Sequence, residues 1–225
     1  PLSPMLANIY LHYLLDEKFT EVYGNSPRVK MYRYADDFVI VASNHADLQT
    51  ARRFLSTWML EAKLSLKKEK TREINMTHYA RSHESKFDFL GYKLHLRCYP
   101  DNQRRFWIAR QPSEKARGNL RKALKARLQA HLHPRVIREQ IRATWRGWSE
   151  YFRHGNSNHV LYREVHTVSR AVWRYLRRKF RRSGRLVKWS RLKELQTEIM
   201  QDIRPPRCIN SPGEKRQTAF EFGRA

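Results

Sequence analysis

Val29-Lys30-Met31-Tyr32-Arg33-Tyr34-Ala35-Asp36-Asp37-Phe38-Val39-Ile40-Val41-Ala42 sets two adjacent carboxylates between two runs of aromatic and β-branched residues. Such runs read as short strands, so the segment predicts a hairpin with two negative charges at its tip. Adjacent carboxylates at a strand junction repel each other. Divalent cations would neutralise them, and hard oxygen ligands suit Mg²⁺. The competing reading is a plain polar turn, because Asp side chains commonly bond to nearby backbone in turns. The four residues Tyr34 to Asp37 do not choose between the two, and the rest of the chain must.

The 225 residues hold 46 Lys+Arg against 21 Asp+Glu, a formal charge of +25. Self-repulsion on that scale weakens a compact fold, and a polyanionic partner, nucleic acid first, explains it. Residues 1–92 carry 13 Lys+Arg and 11 Asp+Glu, a net of +2, while residues 93–225 carry the other 33 and 10, a net of +23. The acidic pair thus lies in the near-neutral part and the polyanion grip follows it. No apolar stretch approaches the roughly 20 residues needed to span a bilayer, so no membrane partner is expected. With 40% apolar residues the chain is too rich for a disordered basic tail. Only Cys98 and Cys208 occur, which excludes a disulfide framework and a paired-cysteine zinc site and fits a reducing compartment.

Leu6, Ile9, Tyr10, Tyr13, Leu14 and Phe19 recur at helical spacing, predicting a helix capped at Ser3 with Pro4 at its first position and ended by Gly24-Asn25-Ser26-Pro27. A second helix is expected over 44–62, and short strands near 71–79, 86–97 and 104–109. From Gln111 onward the pattern is helical. Ser113 would cap a helix running to about Leu132, His133-Pro134 breaks it, a second helix spans 135–152, Gly155-Asn156 turns, and a third covers 158–180. Trp145, Trp148, Tyr151 and Trp173 are expected in the packing, leaving Arg142, Arg146, Arg153, Arg174, Arg177, Arg178, Lys179, Arg181 and Arg182 as the candidates for RNA contact. The fold class is α+β, an antiparallel sheet with helices followed by an all-α part.

Pro1-Leu2-Ser3-Pro4-Met5-Leu6-Ala7-Asn8-Ile9-Tyr10-Leu11, Tyr34-Ala35-Asp36-Asp37, Leu64 to Thr71 and Phe87-Asp88-Phe89-Leu90-Gly91-Tyr92 stand in the order and spacing of successive reverse transcriptase motifs. Arg146-Gly147-Trp148-Ser149-Glu150-Tyr151-Phe152-Arg153-His154-Gly155-Asn156 is similar to the maturase-specific, thumb-like domain. The chain therefore resembles group II intron-encoded reverse transcriptase/maturases over about residues 1–182. The resemblance implies a partial reverse transcriptase palm over 1–110, a helical thumb/maturase domain over 111–182 and a basic extension over 183–225.

It further implies an RNA-directed DNA polymerase that is also a maturase, with Asp36 and Asp37 as catalytic metal ligands for Mg²⁺. Tyr34, Ala35 and Lys70 would lie at the nucleotide, and Phe89, Leu90 and Gly91 would form the primer grip. Its partners would be group II intron RNA and template RNA, a DNA primer or target, and dNTPs. Its place would be the cytoplasm of a bacterial-type cell, associated with RNA or nucleoid, or an organelle. The family's catalytic set includes a further aspartate from motifs that precede Pro1-Leu2-Ser3-Pro4. The sequence as given is accordingly expected to be a fragment lacking the fingers and that aspartate. The alternative function is an RNA-binding splicing factor without polymerase activity.

Overall fold

The computed structural model describes residues 2–67, 69–76, 85–98, 106–182 and 187–209. The chain is α+β and divides into two compact units, Pro1–Glu73 and Ile74–Ala225. In the first, helix α1 (Leu2–Leu11) runs into a π-helical stretch (His12–Glu17) and then α2 (Lys18–Tyr23). Strands β1 (Val29–Tyr34) and β2 (Asp37–Ala42) pair antiparallel, and α3 (His45–Glu61) follows. Asn44 caps α3 as its sequence position predicts, its side chain accepting from the Asp47 amide at 2.8 Å.

The apolar stripe expected on the first helix is only partly its core. Met5, Leu6, Ile9, Tyr10 and Tyr13 are exposed, whereas Leu15 and Phe19 are buried. The π-helical stretch widens the turn and shifts the phase of the residues beyond it, which brings Leu15 into the core in place of Leu14. Leu15 then packs with Leu55 and Met59 of α3, and Phe19 with Val29 and Ala51. Pro4 lies within the first helical turn, where its missing N–H has no acceptor to serve. The cap expected at Ser3 and Lys68 lie outside the described side chains.

The second unit opens with a three-stranded antiparallel sheet of β3 (Lys86–Phe89), β4 (Tyr92–Cys98) and β5 (Phe106–Pro112), in that order. No strand forms over 71–76, contrary to expectation, and 77–79 lie outside the described residues. Residues 71–76 cannot pair without a neighbouring edge, and the local chain is instead held by Thr71 and Lys70 amides bonding back to the Lys67 carbonyl. Four helices follow: α4 (Glu114–Arg127), α5 (Pro134–Phe152), α6 (Asn158–Arg182) and α7 (Trp189–Met200). Their core is built by Leu120, Leu124, Ile137, Ile141, Trp145 and Val172. Ser113 caps α4 by accepting from the Ala116 amide at 3.2 Å, and Pro134 opens α5.

Helix α4 ends at Arg127 and not near Leu132, and side chains of α6 satisfy the carbonyls of the loop that follows it. Arg178 donates to the Leu128 carbonyl at 3.3 Å, Lys179 to those of Ala130 and Leu132 at 2.9 and 2.7 Å, and the Tyr175 hydroxyl to Leu132 at 2.9 Å. Gly155 is required by close approach: a Cβ there would stand 2.5 Å from the Arg110 carbonyl, which accepts from the Asn156 amide at 2.8 Å.

Glu164 of α6 is fully buried and accepts from Arg117 Nε at 2.7 Å and from Arg121 Nη2 at 2.6 Å, tying α6 to α4. Burial pushes its carboxyl up, but the hydrogen bonds and charges of Arg121 and Arg117 more than offset this and leave it below its ordinary value of 4.5. The stabilisation is therefore complete above pH 4.5 and is lost as pH falls through the lowered folded value. Glu164→Ala leaves Arg117 Nε buried without its acceptor, although Glu114 still accepts from Arg117 Nη1, and should cost about 3 kcal/mol. Urea unfolding followed by tryptophan fluorescence checks this; an unchanged midpoint would refute it.

Candidate active site and nucleic-acid interface

The tip of the β1–β2 hairpin is a two-residue turn. Tyr34 pairs with Asp37, leaving Ala35 and Asp36 as the central residues. Ala35 stands at φ +54° and Asp36 is not among the residues with positive φ, the pattern of a type II′ turn, whose twist suits a hairpin. Asp36, Asp37 and Tyr34 are all exposed. Tyr34 and Asp37, being directly opposite, share the outer face of the hairpin, while Arg33 and Phe38 share the face toward the helices.

Among the described residues no hydrogen bond or ion pair engages either carboxylate of the tip. All four oxygens are thus available to a hard cation, and no His or Cys stands in the hairpin to favour a softer one. Among the described residues no three His, Cys, Asp or Glu side chains gather as a metal site, so the tip offers two ligands. The other aspartates of residues 1–94 lie elsewhere. Asp16 is paired with Arg33, whose hydrogen bond, against the opposing effect of burial, holds the Asp16 carboxyl below its ordinary value. Asp47 accepts from Asn44 Nδ2 at 2.9 Å, and Asp88 lies in β3 of the second unit.

Lys70 is exposed in a turn after α3, and no hydrogen bond or ion pair joins it to the tip. Phe89, Leu90 and Gly91 belong to the β3–β4 hairpin of the second unit. Leu90 and Gly91 are the central residues of its turn, at φ +50° and +78°, which is the type I′ pattern. Gly takes this conformation freely and Leu does not. The turn is held from outside: Tyr151 Oη donates to the Leu90 carbonyl at 2.8 Å, and the Ser113 amide to that of Gly91 at 2.8 Å. Tyr92 Oη donates in turn to the Tyr151 carbonyl at 2.5 Å, and burial pushes its hydroxyl up to about 12. Tyr151 is accordingly a half-exposed clamp, where a packing residue was expected, while Trp145 is core and Trp148 and Trp173 pack against it.

The basic candidates separate by environment. Arg153 pairs with Glu150 at 2.5 Å, and Arg142 faces Asp202 at 3.9 Å. Arg178 and Lys179 serve the loop carbonyls described above. Arg174 bonds to the Arg170 carbonyl at 3.3 Å. Arg146, Arg177 and Arg181 are exposed, with no partner among the described residues; the Arg182 side chain lies outside them. Sequence reading passed over the pattern these join. His159, Arg163, His166, Arg170, Arg174, Arg177 and Arg181 recur at three- and four-residue spacing, and all are exposed on one face of α6. That spacing was readable, and at 1.5 Å per residue the stripe runs about 33 Å.

The family model described as reverse transcriptase (RNA-dependent DNA polymerase) matches residues 1–94. The one described as group II intron, maturase-specific domain matches residues 113–195. The class is thus a reverse transcriptase domain followed by a maturase-specific domain, and both imply binding of RNA. The chain belongs to the group II intron-encoded reverse transcriptase/maturase family. The comparison with curated proteins found no match. Among the described residues no helix is long and apolar enough to cross a membrane.

The turn at Ala35 carries a prediction of its own. Ala35→Val places a β-branched side chain at positive φ and should destabilise the first unit by about 1–3 kcal/mol, while Ala35→Gly should stay within about 1 kcal/mol of the parent. Thermal unfolding of the two variants decides it, and equal melting would refute the turn assignment.

Proposed function

We propose that this protein copies RNA into DNA at Asp36 and Asp37 and grips its RNA, including group II intron RNA, with the outward faces of α5 and α6. The observation that carries the reading is a pair of adjacent, exposed carboxylates with no partner among the described residues. Two Mg²⁺ ions would be held by Asp36 and Asp37 together with a further aspartate, supplying activation of the primer 3′-hydroxyl and neutralisation of the leaving pyrophosphate. Asp36 is proposed as the direct ligand and Asp37 as its partner at the tip. Tyr34 would offer its exposed ring to the primer terminus, and Lys70 its ammonium to the triphosphate of a dNTP. Phe89, Leu90 and Gly91 would bear on the primer strand, with their turn held by Tyr151.

The palm is assigned to 1–110, the thumb and maturase domain to 111–182, and 183–225 to an extension. A location with the RNA, in cytoplasm or organelle, follows from the same reading. Arg146, Arg174, Arg177 and Arg181 are the contacts to which most of the polyanion affinity is ascribed. A second reading, a splicing factor that binds RNA and does not polymerise, is supported by the maturase-specific match and the exposed arginines of α6, which need no carboxylate pair.

In a chain that also carries the earlier reverse transcriptase motifs, Asp36→Ala should abolish Mg²⁺-dependent primer extension on an RNA template and leave RNA affinity nearly unchanged. If the parent binds intron RNA but extends no primer, the splicing-factor reading takes its place. RNA affinity itself should fall steeply between about 50 and 200 mM salt, and Arg177→Ala and Arg181→Ala should each reduce the log–log slope by about one. A flat response would sink the assignment of the grip to these helices.

A further inference from the structure

Arg33 lies on the inward face of β1, following Val29 and Met31 at two-residue spacing, and its side chain is only 13% exposed. A guanidinium placed there needs partners to offset its desolvation. Its Nε donates to Asp16 Oδ1 at 2.7 Å, and its Nη2 donates to Asp16 Oδ2. Its Nη1 donates to Asn8 Oδ1 at 3.0 Å and to the Ala35 carbonyl at 2.8 Å. The first three bonds fix the group to α1 and to the π-helical stretch. The fourth reaches the turn that carries Asp36.

The Ala35 carbonyl belongs to the central peptide of that turn. Types I′ and II′ share positive φ at the first central residue and differ by a flip of this peptide, which changes φ at the second from positive to negative. Asp tolerates either sign better than most residues, so Asp36 alone does not enforce the choice. A donor on the Ala35 oxygen does, because flipping the peptide would carry the oxygen away from it. The direction in which Asp36 projects its carboxylate follows from the sign of its φ.

We propose that Arg33, braced by Asp16 and Asn8, is a positioning residue that holds the Ala35–Asp36 peptide in one orientation and so sets the direction of the Asp36 carboxylate. Its consequence for metal affinity rests on the polymerase reading above. Asp16 then serves the site through Arg33 and not as a ligand. Lysine is no substitute, since a single ammonium cannot span the Asp16 carboxylate side by side while reaching Asn8 and Ala35.

Two measurements on Arg33→Lys and Arg33→Gln test this, with Asp16→Asn as the milder variant. In ¹⁵N-resolved NMR of the 225-residue chain, the Asp36 amide should split or shift in both Arg33 variants while those of Val39 to Val41 hold their positions, showing the strands intact. In the chain carrying the earlier motifs, the Mg²⁺ concentration for half-maximal primer extension should rise about 10–100-fold with RNA affinity unchanged. An unshifted single Asp36 resonance with an unchanged Mg²⁺ midpoint in both variants would overturn the proposal. A perturbed Asp36 resonance in a protein whose parent extends no primer would support the positioning role and overturn the polymerase reading instead.

Discussion

The buried carboxylate of Glu164 between Arg117 and Arg121 is the interaction on which the helical part of this protein depends. Residues 93–225 carry 33 cations against 10 anions, so every acidic side chain there is scarce. Two of them join separate elements. Glu164 joins α6 to α4, and Asp202 joins the chain after α7 to Arg138 and Arg142 of α5. Removing the water around three charged groups is costly, and the hydrogen bonds between them must offset it. The remaining arginines are left to face outward along α6 without local neutralisation. A stripe of that kind is stable only because repulsion along an exposed face is screened by solvent and salt, and it is ready for phosphates for the same reason.

The two hairpins reach sharp turns by the same physical means. Each places a non-glycine residue at positive φ in the first central position, Ala35 in one and Leu90 in the other. Each then receives a side-chain donor on that residue's carbonyl, from Arg33 Nη1 and from Tyr151 Oη respectively. Conformations of this sort cost on the order of 1–3 kcal/mol and persist where surrounding groups over-determine them. The common device separates two tasks: strand pairing forms each hairpin, and the external donor selects the orientation of one peptide within it. Both turns carry residues that the family resemblance assigns to chemistry or to the primer.

What was legible in the sequence was what short-range chemistry decides. The Asp36-Asp37 hairpin, the cap at Ser113, the start of α5 beside Pro134 and the burial of Trp145 all follow from residues within a few positions of each other. The order of the motifs from Pro1 to Asn156 was enough to place the family, and the matches over 1–94 and 113–195 agree with it. What was not legible depends on distant partners. The π-helical stretch shifts the core from Leu14 to Leu15, and no local pattern announces it. Helix α4 stops at Arg127, and the loop beyond it is held by Lys179, 49 residues on from Ala130. Arg33 looked like a cation between two tyrosines, and only its pairing with Asp16 and Ala35 shows what it touches.

In the first unit Asp16 is paired with Arg33, Glu61 with Lys18 at 2.6 Å, Glu73 with Arg52, and Asp47 with Asn44. Glu21 and Glu69 are exposed and likewise have no partner among the described residues, so what sets the tip apart is the adjacency of its two carboxylates. Asp36 and Asp37 are adjacent, repel each other, and yet have none among the described residues. A polar turn would need neither that repulsion nor that exposure, since one Asp bonding to its own backbone suffices. The guanidinium of the hairpin is also withheld from them, because Arg33 lies on the inward face and gives four of its five N–H groups to Asp16, Asn8 and the Ala35 carbonyl. Under the proposed polymerase function, a divalent cation arriving with the nucleic-acid substrate would relieve the repulsion between the two adjacent carboxylates more fully than any single side chain could.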